Sequence, residues 1–208
     1  MAPSLKVLVA ITSPIAFHQL KNQSIVSACI KSAQKFVASL AGSAHLAIAG
    51  TAADLAKVAD IDCEKLECDP NKPGDFASAI KNAAAVDLVM IHDSQRPLTG
   101  LAQFDRVYAA LTKETDAVRP VSPFTETLKS IDANNFIDET IDRNSMMRIS
   151  TPELIRYSAI DFDSSTSTWF VPLTNSAQTA VVNADPESAR INSAKEIELM
   201  SFLLDWNK

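Results

Sequence analysis

The sequence predicts a single α/β domain, a mostly parallel β-sheet with helices on both faces. Three observations lead there. Short apolar, β-rich runs recur at Lys6 to Ile11 (KVLVAI), His45 to Gly50 (HLAIAG) and Asp87 to Asp93 (DLVMIHD), each reading as a fully buried strand. Segments with apolar residues at spacings of three and four lie between them, as buried helix faces require. A chain of 208 residues, 47% hydrophobic, is long enough to bury one core without a disulfide or metal staple. Strand and helix in alternation imply parallel strands joined by right-handed crossovers.

KVLVAI ends at Thr12-Ser13-Pro14, and the helix after Ser24 buries Ile25, Val26, Cys29, Ile30, Ala33, Phe36, Val37 and Leu40. HLAIAG is followed by an alanine-rich helix from Thr51, a weak strand around Cys63 to Glu67 and a helix from Gly74 to Ala84. DLVMIHD leads to a helix over Gly100 to Leu111 and a strand over Asp116 to Val121. After Pro123 the pattern changes: TETLKSID and NNFIDETIDR read as two strands joined through the turn-forming Ala133-Asn134-Asn135, a hairpin that projects. Thr151-Pro152 places a proline at a first helical position, predicting a helix through Glu153, Leu154 and Tyr157. A Ser/Thr-rich stretch (Ser164 to Thr168), a strand over Ala180 to Ala184 and a helix over Ser193 to Trp206 complete the chain. Ser193 and Glu196 form the capping box of that last helix, and Trp169, Phe170 and Trp206 are expected to pack inward.

Composition narrows the function classes. With 19 Lys+Arg against 25 Asp+Glu, a formal charge of -6 lacks the basic field that neutralises phosphates, so neither nucleic acid nor an anionic membrane is an expected partner. No apolar run reaches the length of a membrane span, and Met1 to Lys6 lacks a secretory signal, so a cytoplasmic location is expected. Cys29, Cys63 and Cys68 are odd in number and not spaced as zinc ligands, which predicts reduced thiols. The four glycines contrast with the roughly fifteen of an average chain this long, and argue against a glycine-rich phosphate loop.

In a doubly wound sheet, ligands bind at the carboxyl ends of the strands, where His92, Asp93, Gln95 and Arg96 cluster. A carboxylate and a guanidinium together suit a phosphate with a divalent metal. The same four residues also suit a surface turn in which Asp93 caps the next segment and Arg96 pairs with an acid.

HDSQRP (His92 to Pro97), PFTETLKSID (Pro123 to Asp132) and TIDRNSMMRISTP (Thr140 to Pro152), in this order and spacing, resemble the 2-C-methyl-D-erythritol 4-phosphate cytidylyltransferases of the non-mevalonate isoprenoid pathway. ARINSAKEIEL near the end and KNQSIV near the start are similar to that family more weakly. The resemblance implies a Rossmann-like nucleotidyltransferase fold over the whole chain. It also implies a projecting β-arm at about 124 to 150 and a homodimer whose arm reaches the neighbour's site. It implies a reaction of CTP with a methylerythritol phosphate, with magnesium. By the same resemblance Asp93 holds metal and nucleotide, Arg96 belongs to the substrate site, and Thr127, Arg143, Thr151 and Arg190 line the sugar-phosphate pocket. Arg143 and Thr151 are then donated by the partner subunit, and Arg190 stands in place of a lysine, keeping the charge and gaining a fork.

The departures concentrate in the nucleotide half. Where the family carries a glycine-rich loop with an arginine and a Pro-Lys pair, Thr12 to Leu20 has no glycine, arginine or lysine. Asp75 falls where a nucleotide-binding serine is expected, and STSTWF (Ser165 to Phe170) replaces an acidic stretch. Phosphoryl-type transfer rests on positioning and charge stabilisation, so catalysis is expected to be lost or weakened. Two alternatives stand beside this: an active nucleotidyltransferase with an altered loop, or a sugar-phosphate-binding pseudo-subunit that partners an intact homologue.

Overall fold

All six residues of β1 (Leu5–Ala10) are buried, and the two-residue period of a strand divides them between two cores. In the computed structural model, which describes residues 3–166 and 169–206, Leu5, Val7 and Val9 join one cluster and Leu8 and Ala10 the other. A 3-10 turn over Pro14–Phe17 and a minimal hairpin, β2 (Gln19–Leu20) with β3 (Gln23–Ser24), lead to α1 (Ile25–Ser39). Ser24 caps α1, its hydroxyl accepting from the Ser27 amide. Next come β4 (Ala44–Gly50), α2 (Ala52–Ala56), β5 (Glu64–Glu67), α3 (Pro73–Asn82), β6 (Leu88–Asp93), α4 (Leu101–Ala109) and β7 (Ala117–Pro123). The arm strands are β8 (Leu128–Ile131) and β9 (Ile137–Ile141), and the chain closes with β10 (Met147–Ile149), β11 (Glu153–Arg156), β12 (Thr179–Asn183) and α5 (Ala194–Trp206).

The main sheet runs β10-β7-β11-β6-β1-β4-β5, with β12 parallel to β7. β6, β1, β4 and β5 are mutually parallel, and β11, between β6 and β7, and β10, beyond β7, run the other way. Phe36 of α1 and Phe104 of α4 fill one face of the sheet, and Phe76 and Ile80 of α3 fill the other with Phe170 and Val171. Helices on both faces are thus as the alternation predicts. No helix among the described residues is long and apolar enough to cross a membrane.

One element departs from expectation: Glu153–Arg156 is a strand, not the first turn of a helix. Leu154 and Ile155 are both fully buried and enter opposite cores, which a central strand allows and a surface helix does not. A proline before a short apolar run carries no periodicity to separate the two states. Glu153 is buried there with a partner, Arg119 Nε of β7 donating to its Oε2 at 2.8 Å.

β10 and β11 pair with successive stretches of β7, but not in continuous register. From Ile149↔Val121 to Leu154↔Val118 one side advances five residues and the other three. Ser150, Thr151 and Pro152 lie in the resulting bulge, joined by a cis peptide between Thr151 and Pro152. Because β11 pairs antiparallel with β6 through Glu153↔Ile91, extending that register places Thr151 opposite Asp93.

β8 and β9 form a two-stranded sheet of their own, turning at Asn135, whose φ of 64° suits asparagine. Phe136 and Ile137 at the turn are 70% and 68% exposed. At the far end, Ser193 Oγ accepts from the Glu196 amide as the capping box requires, while the Glu196 carboxylate takes the Asn192 amide, one residue ahead of the expected one. The side chain of Trp206, and Ser167 and Thr168 of the Ser/Thr-rich stretch, lie outside the described residues.

Candidate functional site

β6 carries its last two residues, His92 and Asp93, to the carboxyl edge of the sheet, where the chain turns into Ser94, Gln95 and Arg96. The whole cluster is buried rather than a surface turn. Asp93 is its hub. Oδ1 accepts from the Gln95 amide at 3.0 Å and from Thr12 Oγ1 at 3.2 Å, and Oδ2 accepts from Arg190 Nε at 2.6 Å. Arg96 Nε stands 3.9 Å from the same Oδ2.

Arg96 is pinned from three sides: Nη1 donates to Ser150 Oγ and to Ser188 O, and Nη2 to Ile149 O. Burial works against its charge, Asp93 favours it, and the Arg190 and Arg148 charges oppose it. Arg190 is equally committed, its Nη2 reaching Gln95 Oε1 and Thr12 Oγ1 and its Nη1 reaching Asn192. Both arginines therefore hold the site's framework.

Thr151, expected as a gift from the partner subunit, belongs to its own chain's site. It is fully buried; its Oγ1 accepts the Asp93 amide at 3.1 Å and faces His92 Nδ1 at 3.1 Å. Gln103 Nε2 braces the Thr151 carbonyl from below at 2.7 Å. The Thr151 hydroxyl can both donate and accept, so it serves the Asp93 amide and His92 Nδ1 together. Burial pushes His92 down to about 4, so it stays neutral at physiological pH.

Two cavities open beside this hub and share Arg190 as a wall. The first, about 430 Å³, is lined by Arg96, Arg148, Arg190, Ser150, Thr125 and Asn192 among others. The second, about 320 Å³, lies against Thr12, Asn71, Asp93, Trp169 and Phe170. Arg190 is its only cationic lining residue among the described residues. Thr127 and Arg143 lie outside both cavities within one chain: both are exposed on the arm, and Arg143 Nη1 donates to the carbonyl of Thr125. Arg148 is the residue that sequence reasoning passed over. The signal was its position three residues before Thr151, inside the TIDRNSMMRISTP stretch.

The stretch that replaces a phosphate loop is packed rather than open. Ala16 and Leu20 are buried, and Lys21, the nearest lysine, is tied to Asp205 of α5 at 2.5 Å. His18 is exposed and lines neither cavity.

Magnesium is bound through one or two carboxylates plus phosphates of its substrate. Asp93 is a single carboxylate already paired with Arg190, and no group of three His, Cys, Asp or Glu converges among the described residues. The donor set among the described residues therefore does not fit a magnesium ion held by protein groups alone.

The model of the IspD family, 2-C-methyl-D-erythritol 4-phosphate cytidylyltransferase, matches residues 9–168. A bifunctional enzyme IspD/IspF of Rhodospirillum rubrum is 43% identical over 76 residues, 36% of this chain and 19% of its own length. A 2-C-methyl-D-erythritol 4-phosphate cytidylyltransferase of Pseudomonas putida is 31% identical over 80 residues, 38% of this chain and 34% of its own. These matched stretches span well under half of either relative. The solved 4-diphosphocytidyl-2C-methyl-D-erythritol synthase of Anaerococcus prevotii superposes with a TM-score of 0.77 at 15% identity, covering 97% of this chain and 98% of its own. The Thermus thermophilus cytidylyltransferase superposes at 0.66 with 18% identity, covering 96% and 98%. The Rossmann-like nucleotidyltransferase fold thus extends along the chain, and the chain belongs to the 2-C-methyl-D-erythritol 4-phosphate cytidylyltransferase family.

Proposed function

We propose that this chain is a sugar-phosphate-binding member of its family whose transfer of a cytidylyl group from CTP is lost or strongly weakened. The observation that carries the reading is the contrast between the two cavities. Among the described residues three arginines line the larger one, whereas the smaller has Arg190 alone, and Arg190 is already held by Asp93. A magnesium-bound triphosphate undergoing attack needs charge stabilisation at several oxygens. Thr12 to Leu20 supplies no lysine or arginine for that, and Lys21 points its ammonium to Asp205. A polyol phosphate needs fewer parts, and the larger cavity offers Arg96, Arg148 and Arg190 for the phosphate.

A second reading adds to this one: the chain acts as a subunit beside an intact homologue. The apolar residues Phe136, Ile137 and Met147 on the arm and its root favour it, because more than half of each residue lies open in a single chain. Arg143, exposed on the same arm, would then reach a neighbour's pocket.

One experiment tests both readings. Pyrophosphate release is followed with magnesium, CTP and methylerythritol phosphate, for the chain alone and after co-expression with an intact family member. The chain alone is expected to give no release above a protein-free control, and co-expression a mixed dimer. Release that disappears in Asp93→Ala makes the chain a working transferase, and two separate homodimers remove the subunit reading.

A further inference from the structure

We propose that Arg148, on β10, is the residue that binds the phosphate group of the ligand in the 430 Å³ cavity, with Arg96 and Arg190 serving as fixed background charges. The proposal rests on the sugar-phosphate reading above and names the group that performs the recognition. The three guanidiniums of the cavity differ in what they still have to give. Both terminal nitrogens of Arg96 donate to Ile149 O, Ser150 Oγ and Ser188 O, and all three nitrogens of Arg190 donate to acceptors of its own chain. Arg148 makes one weak bond, Nε to Ser122 Oγ at 3.3 Å, and its two terminal nitrogens have no hydrogen-bond partner among the described residues. The side chain is exposed and lines the cavity, so its planar fork is presented to whatever enters.

Charge complementarity gives the ligand class. Asp93 offsets one of the three positive charges, and Asp185, also in the lining, is neutralised by Arg106 at 2.6 Å. A charge of about +2 remains, matching a phosphate monoester at about −1.5 to −2 near pH 7. Without Arg148 only about half of that stays, too little for the dianion. Thr125, Ser150 and Asn192 offer hydroxyl and amide groups beside the fork, suited to the hydroxyls of a short polyol.

The test is calorimetric titration of methylerythritol phosphate, and separately of inorganic phosphate, into the wild type, Arg148→Ala and Arg148→Lys. Arg148→Ala is expected to weaken both ligands at least tenfold with an unchanged melting temperature. Arg148→Lys should fall between, since it keeps the charge and loses the fork. Sugar-phosphate binding by Arg148→Ala within twofold of the wild type overturns the assignment and leaves the sugar-phosphate reading intact. Arg148-dependent binding of inorganic phosphate without any binding of methylerythritol phosphate upholds the assignment and overturns that reading. A wild type that binds neither ligand overturns both.

Discussion

Arg119→Met is expected to destabilise the fold by about 3–5 kcal/mol, the cost of leaving a buried carboxylate without its partner. Glu153 is fully buried at the start of β11, and Arg119 Nε is the cation within reach of its Oε2 at 2.8 Å. Burial raises the Glu153 carboxyl above its ordinary value near 4.5, and Arg119 pulls it back. The sign of the pH dependence follows. A carboxyl raised in the folded state binds its proton more tightly there than in the unfolded chain, so its contribution is fully present below 4.5 and is lost as pH rises through the folded value. Removing Arg119 raises it further, so the deficit of the variant should grow from acid toward neutral pH. Urea unfolding at pH 5 and 7.5 measures this, and Arg119→Met/Glu153→Met should recover most of the loss. A deficit below 1 kcal/mol at pH 7.5, or one that shrinks as pH rises, contradicts the account of β11.

Acid should loosen the site itself through His92. Burial holds His92 at about 4 against an ordinary 6.5, so between these values the unfolded chain takes up a proton that the folded chain refuses. Stability from this group is therefore complete above pH 6.5 and lost as pH falls through about 4, a difference of about 3 kcal/mol. The added charge falls on a fully buried imidazole 3.1 Å from the Thr151 hydroxyl. His92→Leu is expected to lower stability at neutral pH and to flatten the dependence between pH 4 and 6.5 in urea titrations. A variant with the wild-type slope would place the acid sensitivity elsewhere.

The strands and helices before β7 were legible because each writes its own period: apolar runs bounded by turn residues, and helices with three-and-four spacing. β11 was not, since four residues carry too little period to tell a strand from a helical turn. What makes it a strand is pairing with β6 and β7, sixty and thirty-odd residues away. The site divides in the same manner. Motif spacing marked Asp93, Arg96, Thr127, Arg143, Thr151 and Arg190; within one chain the structure gathers Asp93, Arg96, Thr151 and Arg190 and leaves Thr127 and Arg143 on the arm. The spacing did not show which nitrogens remain free, because that is decided by contacts such as Arg190 with Asp93, 97 residues apart. Hence Arg96 and Arg190 turn out to be held by their own chain while Arg148 is available, and Thr151 is held where a partner's residue was expected. Cys29 followed its helix pattern inward, donating its thiol to the Ser94 carbonyl beneath the same cluster.

The central claim is that the two cavities have parted ways, the larger still charged for a sugar phosphate and the smaller left with Arg190, already paired with Asp93, for a triphosphate. Calorimetric titration of magnesium-CTP into the purified protein, beside methylerythritol phosphate alone, tests it most directly. The account predicts a saturable isotherm for the sugar phosphate and only heat of dilution for magnesium-CTP. Saturable binding of magnesium-CTP with micromolar affinity would contradict it.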